Sequence, residues 1–277
     1  MASETGSEVV DARRVAGVPP SHSSLAYRVE NMSVELMSAD GPRQILRDVN
    51  FTVGAGEIVG IVGRSGTGKT TLLRVLGGMV RASSGLVELH GRADNLPGTV
   101  VTVFQDYGNA LLPWRSVARN VSLGIERGLG RAEREQRVAD VLRLVGLEGR
   151  SSDHPWQLSG GMQQRVQIAR ALAVEPRVLL MDEPFGALDA ITKATLQDVL
   201  LRIQAQTGAT TIFITHDIDE AIYLSDRVFV IAGSPGSLIV QEPVDLPRPR
   251  TQLETREHPR YLSVRHALAE ALREETA

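Results

Sequence analysis

Gly63-Arg64-Ser65-Gly66-Thr67-Gly68-Lys69-Thr70 decides the fold of this chain. It fits the phosphate-loop pattern G-x-x-x-x-G-K-[ST]. Its glycines let backbone N–H groups turn inward around an anion, where a Cβ would block the approach. Lys69 supplies a point charge for β- and γ-phosphates, and the Thr70 hydroxyl a ligand for Mg²⁺. The run before the loop, Ile58-Val59-Gly60-Ile61-Val62, is short and apolar, as a buried parallel strand should be. The run after it, Thr71-Leu72-Leu73-Arg74-Val75-Leu76, reads as a helix whose positive N-terminal end meets the phosphates.

Composition narrows the classes. The 277 residues suffice for one large domain or two small ones. A net charge of −3, spread without a strong block, argues against nucleic acid as the main partner. There are no cysteines, which excludes disulfides and thiolate metal sites and suits a reducing cytosol. The first residues are small, polar and acidic, unlike a secretory signal, and no apolar run approaches the roughly twenty residues of a membrane helix. A soluble protein is expected, one that works at a membrane only by docking on another protein.

Outward from the loop, residues 1–24 read as a flexible tail. Strands are predicted at Leu25–Val29 and Ser33–Met37, a turn at Ser38–Pro42, and a further strand at Ile45–Val53. Leu86–Leu89 and Val100–Phe104 follow as strands. Three helices, Ser116–Leu123, Arg131–Val145 and Gly161–Ala173, then make residues 107–172 a helical insertion. In the second, Val138, Val141, Leu142 and Val145 share one face. The α/β pattern resumes with strand Val178–Met181, helix Ile191–Ala205, strands Thr210–Ile214 and Val228–Ile231, and an edge strand Ile239–Val244. Arg248-Pro249-Arg250 breaks it before a last amphipathic helix, His258–Glu274.

Four places carry chemistry. Asp182-Glu183 ends an apolar strand, and in a parallel sheet ligands sit at the carboxyl ends of strands. Asp182 is placed to hold Mg²⁺ through water and Glu183 to polarise the attacking water; two solvated acids are the blander alternative. Gln105 follows another apolar strand and could ligate the metal, position water, or be polar surface. His216 follows Thr210–Ile214 and could reach a γ-phosphate, or cap the next helix. Ser159-Gly160-Gly161 opens a helix as an N-cap, an anion site of the same physical kind as the phosphate loop. Two phosphate cradles with one nucleotide loop are reconciled if Ser159 and Gly161 cover the γ-phosphate held by a second copy, reciprocally in a two-fold dimer.

In order along the chain, the phosphate loop, Gln105, Leu158–Gln164, Met181-Asp182-Glu183-Pro184, Ala187-Leu188-Asp189 and Thr215-His216-Asp217 resemble the nucleotide-binding subunit of an ATP-binding cassette (ABC) transporter. The resemblance covers residues 27–250. It implies an α/β fold: a RecA-like P-loop NTPase core with an N-terminal antiparallel β subdomain and an inserted α-helical subdomain. It implies an ATPase domain over 25–250 and a helical extension over 251–277. ATP and Mg²⁺ are the implied cofactors, with Gly63 through Thr71 on the nucleotide, Thr70, Gln105 and Asp182 on the metal, and Glu183, His216 and Gln105 as the catalytic set. Ser159, Gly160 and Gly161 would complete the twin's site, and Asp189 would communicate across the dimer.

A finer similarity lies in Val103-Phe104-Gln105, Leu111-Leu112-Pro113-Trp114, Asn120-Val121, Ser234-Pro235-Gly236 and Leu246-Pro247-Arg248-Pro249-Arg250. These resemble the ATPases of nitrate, sulfonate and taurine importers. That family implies a homodimer on the cytoplasmic face of the cell membrane, driving an integral-membrane permease fed by an extracytoplasmic solute-binding protein. Leu111–Trp114 falls where the ATPase meets the permease; Trp114 is either a docking residue or insertion core. The family commonly stacks an aromatic on adenine, and the matching place here is Leu36, with Tyr27 earlier. Ligand sensing by an added β-domain after residue 250 is not expected. Two readings of other classes are a nucleic-acid-acting ABC ATPase, which would show a long coiled-coil insertion or a basic stripe, and a binding-only module, against which Lys69, Glu183 and His216 stand.

Overall fold

A computed structural model of the chain describes residues 25–39, 41–90, 99–104, 110–186 and 188–274. In chain order come β1 (Leu25–Ser38), β2 (Gly41–Gly54), β3 (Ile58–Val62), α1 (Lys69–Leu76), β4 (Ser84–Leu89) and β5 (Val100–Val103). Then follow α2 (Val117–Val121), α3 (Arg131–Leu144), α4 (Gly160–Ala173), β6 (Val178–Asp182), α5 (Ala190–Thr207), β7 (Thr210–Ile214) and α6 (Ile218–Leu224). The described chain closes with β8 (Arg227–Ala232), β9 (Ser237–Pro243), α7 (Glu254–Glu257) and α8 (Pro259–Glu274).

The strands form two sheets. β2-β1-β4 is antiparallel, and β5-β6-β7-β3-β8-β9 is parallel except for β9 at its edge. All five residues of each of β3, β6 and β7 are buried, which is why they read as continuous apolar runs. Because β6, β7 and β3 are neighbours, the carboxyl ends at Asp182, Ile214 and Val62 come together. Everything that follows those three strands is delivered to one edge of the sheet.

Hydrophobic cores lie on both faces of this sheet. One joins α2, α3, α4 and α5 through Val121, Val138, Leu142, Val166, Leu196 and Leu200. The other packs α1 and the antiparallel sheet through Val29, Val49, Leu72 and Leu76. Each such side chain contributes about 1.5–3 kcal/mol on burial. A third cluster seats α8 through Tyr261, Val264 and Leu268, with Leu272 packed against it.

Several boundaries differ from expectation. The first strand is one element, not two. Asn31 has a φ of 48°, and the register slips between Val29 and Met32, so a bulge absorbs the polar residues that suggested a break. Gly41 and Pro42 belong to β2 rather than to the turn. The helix from Ser116 is shorter: Ser116 is its N-cap, and Ser122–Ile125 tightens into a 3₁₀ turn. The last helix begins at Pro259, after the separate turn α7. Arg250 clamps the end of α6, donating to the carbonyls of Ile222, Tyr223 and Ser225, with burial pulling its pKa down to about 10.

Candidate active site

The phosphate loop joins β3 to α1. Gly68, at φ 92°, is the N-cap of α1, a left-handed conformation that an L side chain rarely adopts. Lys69 opens the helix and is buried; its ammonium donates to the carbonyls of Gly63 at 2.8 Å and Arg64 at 2.7 Å, so it lies across the loop. Thr67 pins the turn by donating to the Arg64 carbonyl at 3.0 Å. Ser65, Gly66, Gly68, Lys69, Thr70 and Thr71 line one cleft of about 420 Å³, together with Glu183. The remaining wall is Arg43 and Ile45 of β2.

That wall includes neither of the residues matched to the family's adenine-stacking aromatic. Leu36 pairs with Arg43 across the β1–β2 ladder and does not line the cleft. Tyr27 is fully buried and donates to the Leu76 carbonyl at 2.7 Å, so it belongs to the core. The side chains over the phosphate loop are an isoleucine and an arginine, neither of which the motif pattern singles out.

Asp182, the last residue of β6, faces the Thr70 hydroxyl at 3.4 Å. Burial raises its pKa, Glu183 beside it adds to the rise, and the Thr70 bond with Arg74 and Lys69 opposes it. A hydroxyl and a buried carboxylate converging beside a phosphate cradle are the hard oxygen donors that Mg²⁺ accepts along with nucleotide phosphates. The residues present therefore fit the ion. Gln105, the third expected ligand, lies outside the described residues, as does Ala187.

Glu183 follows directly, with φ 45°, an uncommon value for a non-glycine residue and of the kind found at functional sites. Its backbone N–H donates to the Ile214 carbonyl, which ties it to the end of β7. His216 Nδ1 stands 3.5 Å from Glu183 Oε2, with two-thirds of the imidazole exposed. The next helix is capped by Asp217, whose side chain accepts from the N–H groups of Asp219 and Glu220. Capping is thus not the task of His216.

Ser159, Gly160 and Gly161 are not among the residues lining this cleft. Ser159 caps α4, accepting from Met162 N–H. The start of α4 sits instead against α5: a Cβ on Gly161 would lie 2.3 Å from Thr192 Cγ2. Asp189 caps α5 through Ile191 and Thr192, and those hydrogen bonds, the Thr192 hydroxyl foremost, hold its pKa below the usual carboxylate value.

The insertion displays Trp114, 72% exposed. Asn120 explains how. Fully buried, it accepts from Leu112 N–H and donates to the carbonyls of Leu112, Arg115 and Ser116, so the loop is stapled from beneath while Leu111 packs inward. Trp114 is therefore surface and not insertion core. Trp156 is also exposed, stacked on His154 at 4.5 Å between ring centroids.

Residues 46–186 match the family model described as ABC transporter. The aliphatic sulfonates import ATP-binding protein SsuB 1 of Xanthomonas axonopodis pv. citri is 48% identical over 213 residues, 76% of this chain and 84% of that protein. The chain belongs to the ABC transporter family. The bicarbonate transport ATP-binding protein CmpC of Synechocystis sp. is 44% identical over 249 residues, 87% of this chain, and the chain spans only 37% of that relative's length. Among solved structures, the cassette resembles the ATP-binding cassette MJ0796, a dimer in a post-hydrolysis state bound to ADP and Pi. The TM-score is 0.69 at 29% identity, covering 79% of this chain and 98% of that one. The cassette thus has the α/β P-loop NTPase fold, with an antiparallel β subdomain and inserted helices.

Among the described residues no helix is long and apolar enough to cross a membrane. Sequence patterns did not point to Arg43, Ile45, Lys193 or Glu220. A lysine and a glutamate 27 residues apart carry no spacing signal until β7 and α6 bring them together.

Proposed function

We propose that this chain is the ATP-hydrolysing subunit of an import system, coupling hydrolysis to uptake of a small solute of the nitrate, sulfonate or taurine type through a separate permease. The observation that carries the reading is the meeting, at one sheet edge, of the phosphate loop, Asp182-Glu183 and His216, with Ser159–Gly161 held apart on α4. Such a site is half of one. Relatives named for import of sulfonates and transport of bicarbonate support the transport class and the small-anion solute.

In this reading residues 25–250 are the ATPase domain, 107–172 its helical insertion, 1–24 a tail and 251–277 an extension. Gly63 to Thr71 hold the triphosphate. Lys69 moves from the loop carbonyls of Gly63 and Arg64 to the β- and γ-phosphates. Thr70, Asp182 and Gln105 would hold Mg²⁺. The ion, when bound, neutralises charge on the β- and γ-oxygens. Glu183 orients the attacking water and takes its proton, and His216 donates to the γ-phosphate. Ser159, Gly160 and Gly161 of a second copy close over the nucleotide, with Asp189 at the seam.

The permease docks on the insertion, from the cytoplasmic face of the membrane. Trp114 stands out from it, and next to it in sequence Arg115 pairs with Glu126, which lines a groove of about 920 Å³ between α2 and α3. A solute-binding protein would act on the far side of that permease. The deciding experiment is size-exclusion chromatography of Glu183→Gln with ATP and Mg²⁺. A nucleotide-dependent dimer is expected, abolished by Ser159→Arg; a monomer under saturating ATP would overturn the reciprocal site.

A further inference from the structure

Between the Asp189 turn and the His216 turn lies a charge cluster that the phosphate chemistry does not use. Glu220, in the first turn of α6, keeps only 4% of its side chain exposed. A carboxylate so placed is costly unless it is paired and hydrogen-bonded. The Lys193 ammonium lies 2.6 Å from one of its oxygens, and the Thr215 hydroxyl donates to the other. Lys193 donates in addition to Asp217 Oδ2 at 3.3 Å. The Asp217 N–H returns to the Thr215 hydroxyl at 3.0 Å. The residues on either side of His216 are therefore both bonded into the cluster, while the imidazole between them projects toward Glu183.

The other end of Lys193 is as well defined. Its backbone N–H donates to the Asp189 carbonyl at 2.8 Å, so it sits in the first turn of the helix that Asp189 caps. Thr192, next to it, is the residue against which Gly161 packs. One side chain thus spans from the turn carrying Asp189 to the carboxylates of Asp217, next to His216, and Glu220. Burial works against the ammonium, but its bonds to Glu220 and Asp217 outweigh that and leave its pKa raised, so it is charged throughout the physiological range.

We infer that Lys193 is a positioning residue for hydrolysis: it ties the first turn of α5 to the segment 215–220 and so fixes where His216 stands over Glu183. The inference rests on the reading of His216 as the γ-phosphate contact. Closure of a second copy against Asp189 presses on the same helical turn, and Lys193 carries that displacement to the imidazole. A misplacement of about 1 Å in such a group costs on the order of 100-fold in rate.

The test is a double-mutant cycle on the full chain, read by steady-state ATP hydrolysis. Lys193→Met is expected to lower kcat by about 10–100-fold with KM for ATP changed less than about threefold, and Lys193→Arg to restore most of the rate. Combined with His216→Ala, Lys193→Met should cost nothing further, because both act through one imidazole. If Lys193→Met does not fold, the pair Lys193→Gln with Glu220→Gln removes both charges together, and the same cycle is run on it. Multiplying losses, or a loss confined to KM, overturn the inference while leaving His216 in its role. An unchanged rate in His216→Ala alone overturns the reading of His216, and the Lys193 inference with it.

Discussion

The Thr70 hydroxyl and the Asp182 carboxylate meet at 3.4 Å, one from the first turn of α1 and the other from the end of β6. Burial lifts the Asp182 pKa above its ordinary value. The native state therefore binds a proton more readily than the unfolded chain, and metal-free stability falls as pH rises from the usual aspartate range through that elevated value. Asp182→Asn is expected to flatten this pH dependence and raise the metal-free melting temperature at neutral pH. It should also lower Mg²⁺-dependent ATP turnover by about 100-fold. Thermal melts in chelator across pH 4–8, with turnover titrated against MgCl₂, check both. A lower melting temperature for the Asn variant at neutral pH would contradict the sign.

Arg43 and Ile45 form the cleft wall beside the phosphate loop, and among the described residues no aromatic lines that cleft. A guanidinium over a base face gains about 0.5–1 kcal/mol at an exposed site and reads no base edge. Arg43→Ala should raise the Kd for ATP about threefold to fivefold, and Arg43→Tyr should lower it. GTP should be hydrolysed within about tenfold of ATP, since a stacking contact tolerates either purine. Titration calorimetry with both nucleotides decides. An Ala variant with unchanged affinity would place the base elsewhere.

Gly236 lies outside the nucleotide cleft yet supports the loop that makes it. A Cβ there would stand 1.9 Å from the Thr67 carbonyl oxygen, while Gly236 N–H and C=O bond to Ile45 and Arg47 of β2. Those bonds leave little room to retreat. Gly236→Ala should cost about 1–3 kcal/mol of stability through overpacking and raise the Kd for ATP by about tenfold by displacing the phosphate loop. Urea unfolding and nucleotide titration measure the two effects, and wild-type affinity in a folded Ala variant would refute the second.

Trp114 projects from a loop that Asn120 holds from below. Exposed tryptophans of this kind carry binding energy of 2 kcal/mol or more when buried by a partner. Trp114→Ala should weaken permease association by at least about 30-fold while soluble ATP turnover stays within about twofold. Equal losses in both assays would return the residue to a structural role.

The parts of the site that can be read from the linear chain are those built by contiguous residues. The phosphate loop, the Ser159 cap and the Asp182-Glu183 pair each depend on neighbours in sequence, so they can be located there, while the roles of the last two rest on the family resemblance. Asp189 was legible through its motif, though not its cap on α5. The unbroken first strand was not, because its bulge at Asn31 mimics a turn. That Arg43 and Ile45 line the cleft was not legible either, because which hairpin residues face the phosphate loop depends on strand register.

By itself, then, the sequence determined the phosphate cradle, the apolar strands and the acid pair that ends one of them, since these are local matters of backbone freedom, hydrophobic period and charge. Tertiary structure alone decided that β6, β7 and β3 lie side by side, that His216 stands against Glu183, and that Lys193 reaches Glu220 across two elements. Sheet order and helix docking are settled by which buried faces fit together over the whole core, and no single stretch of residues contains that information.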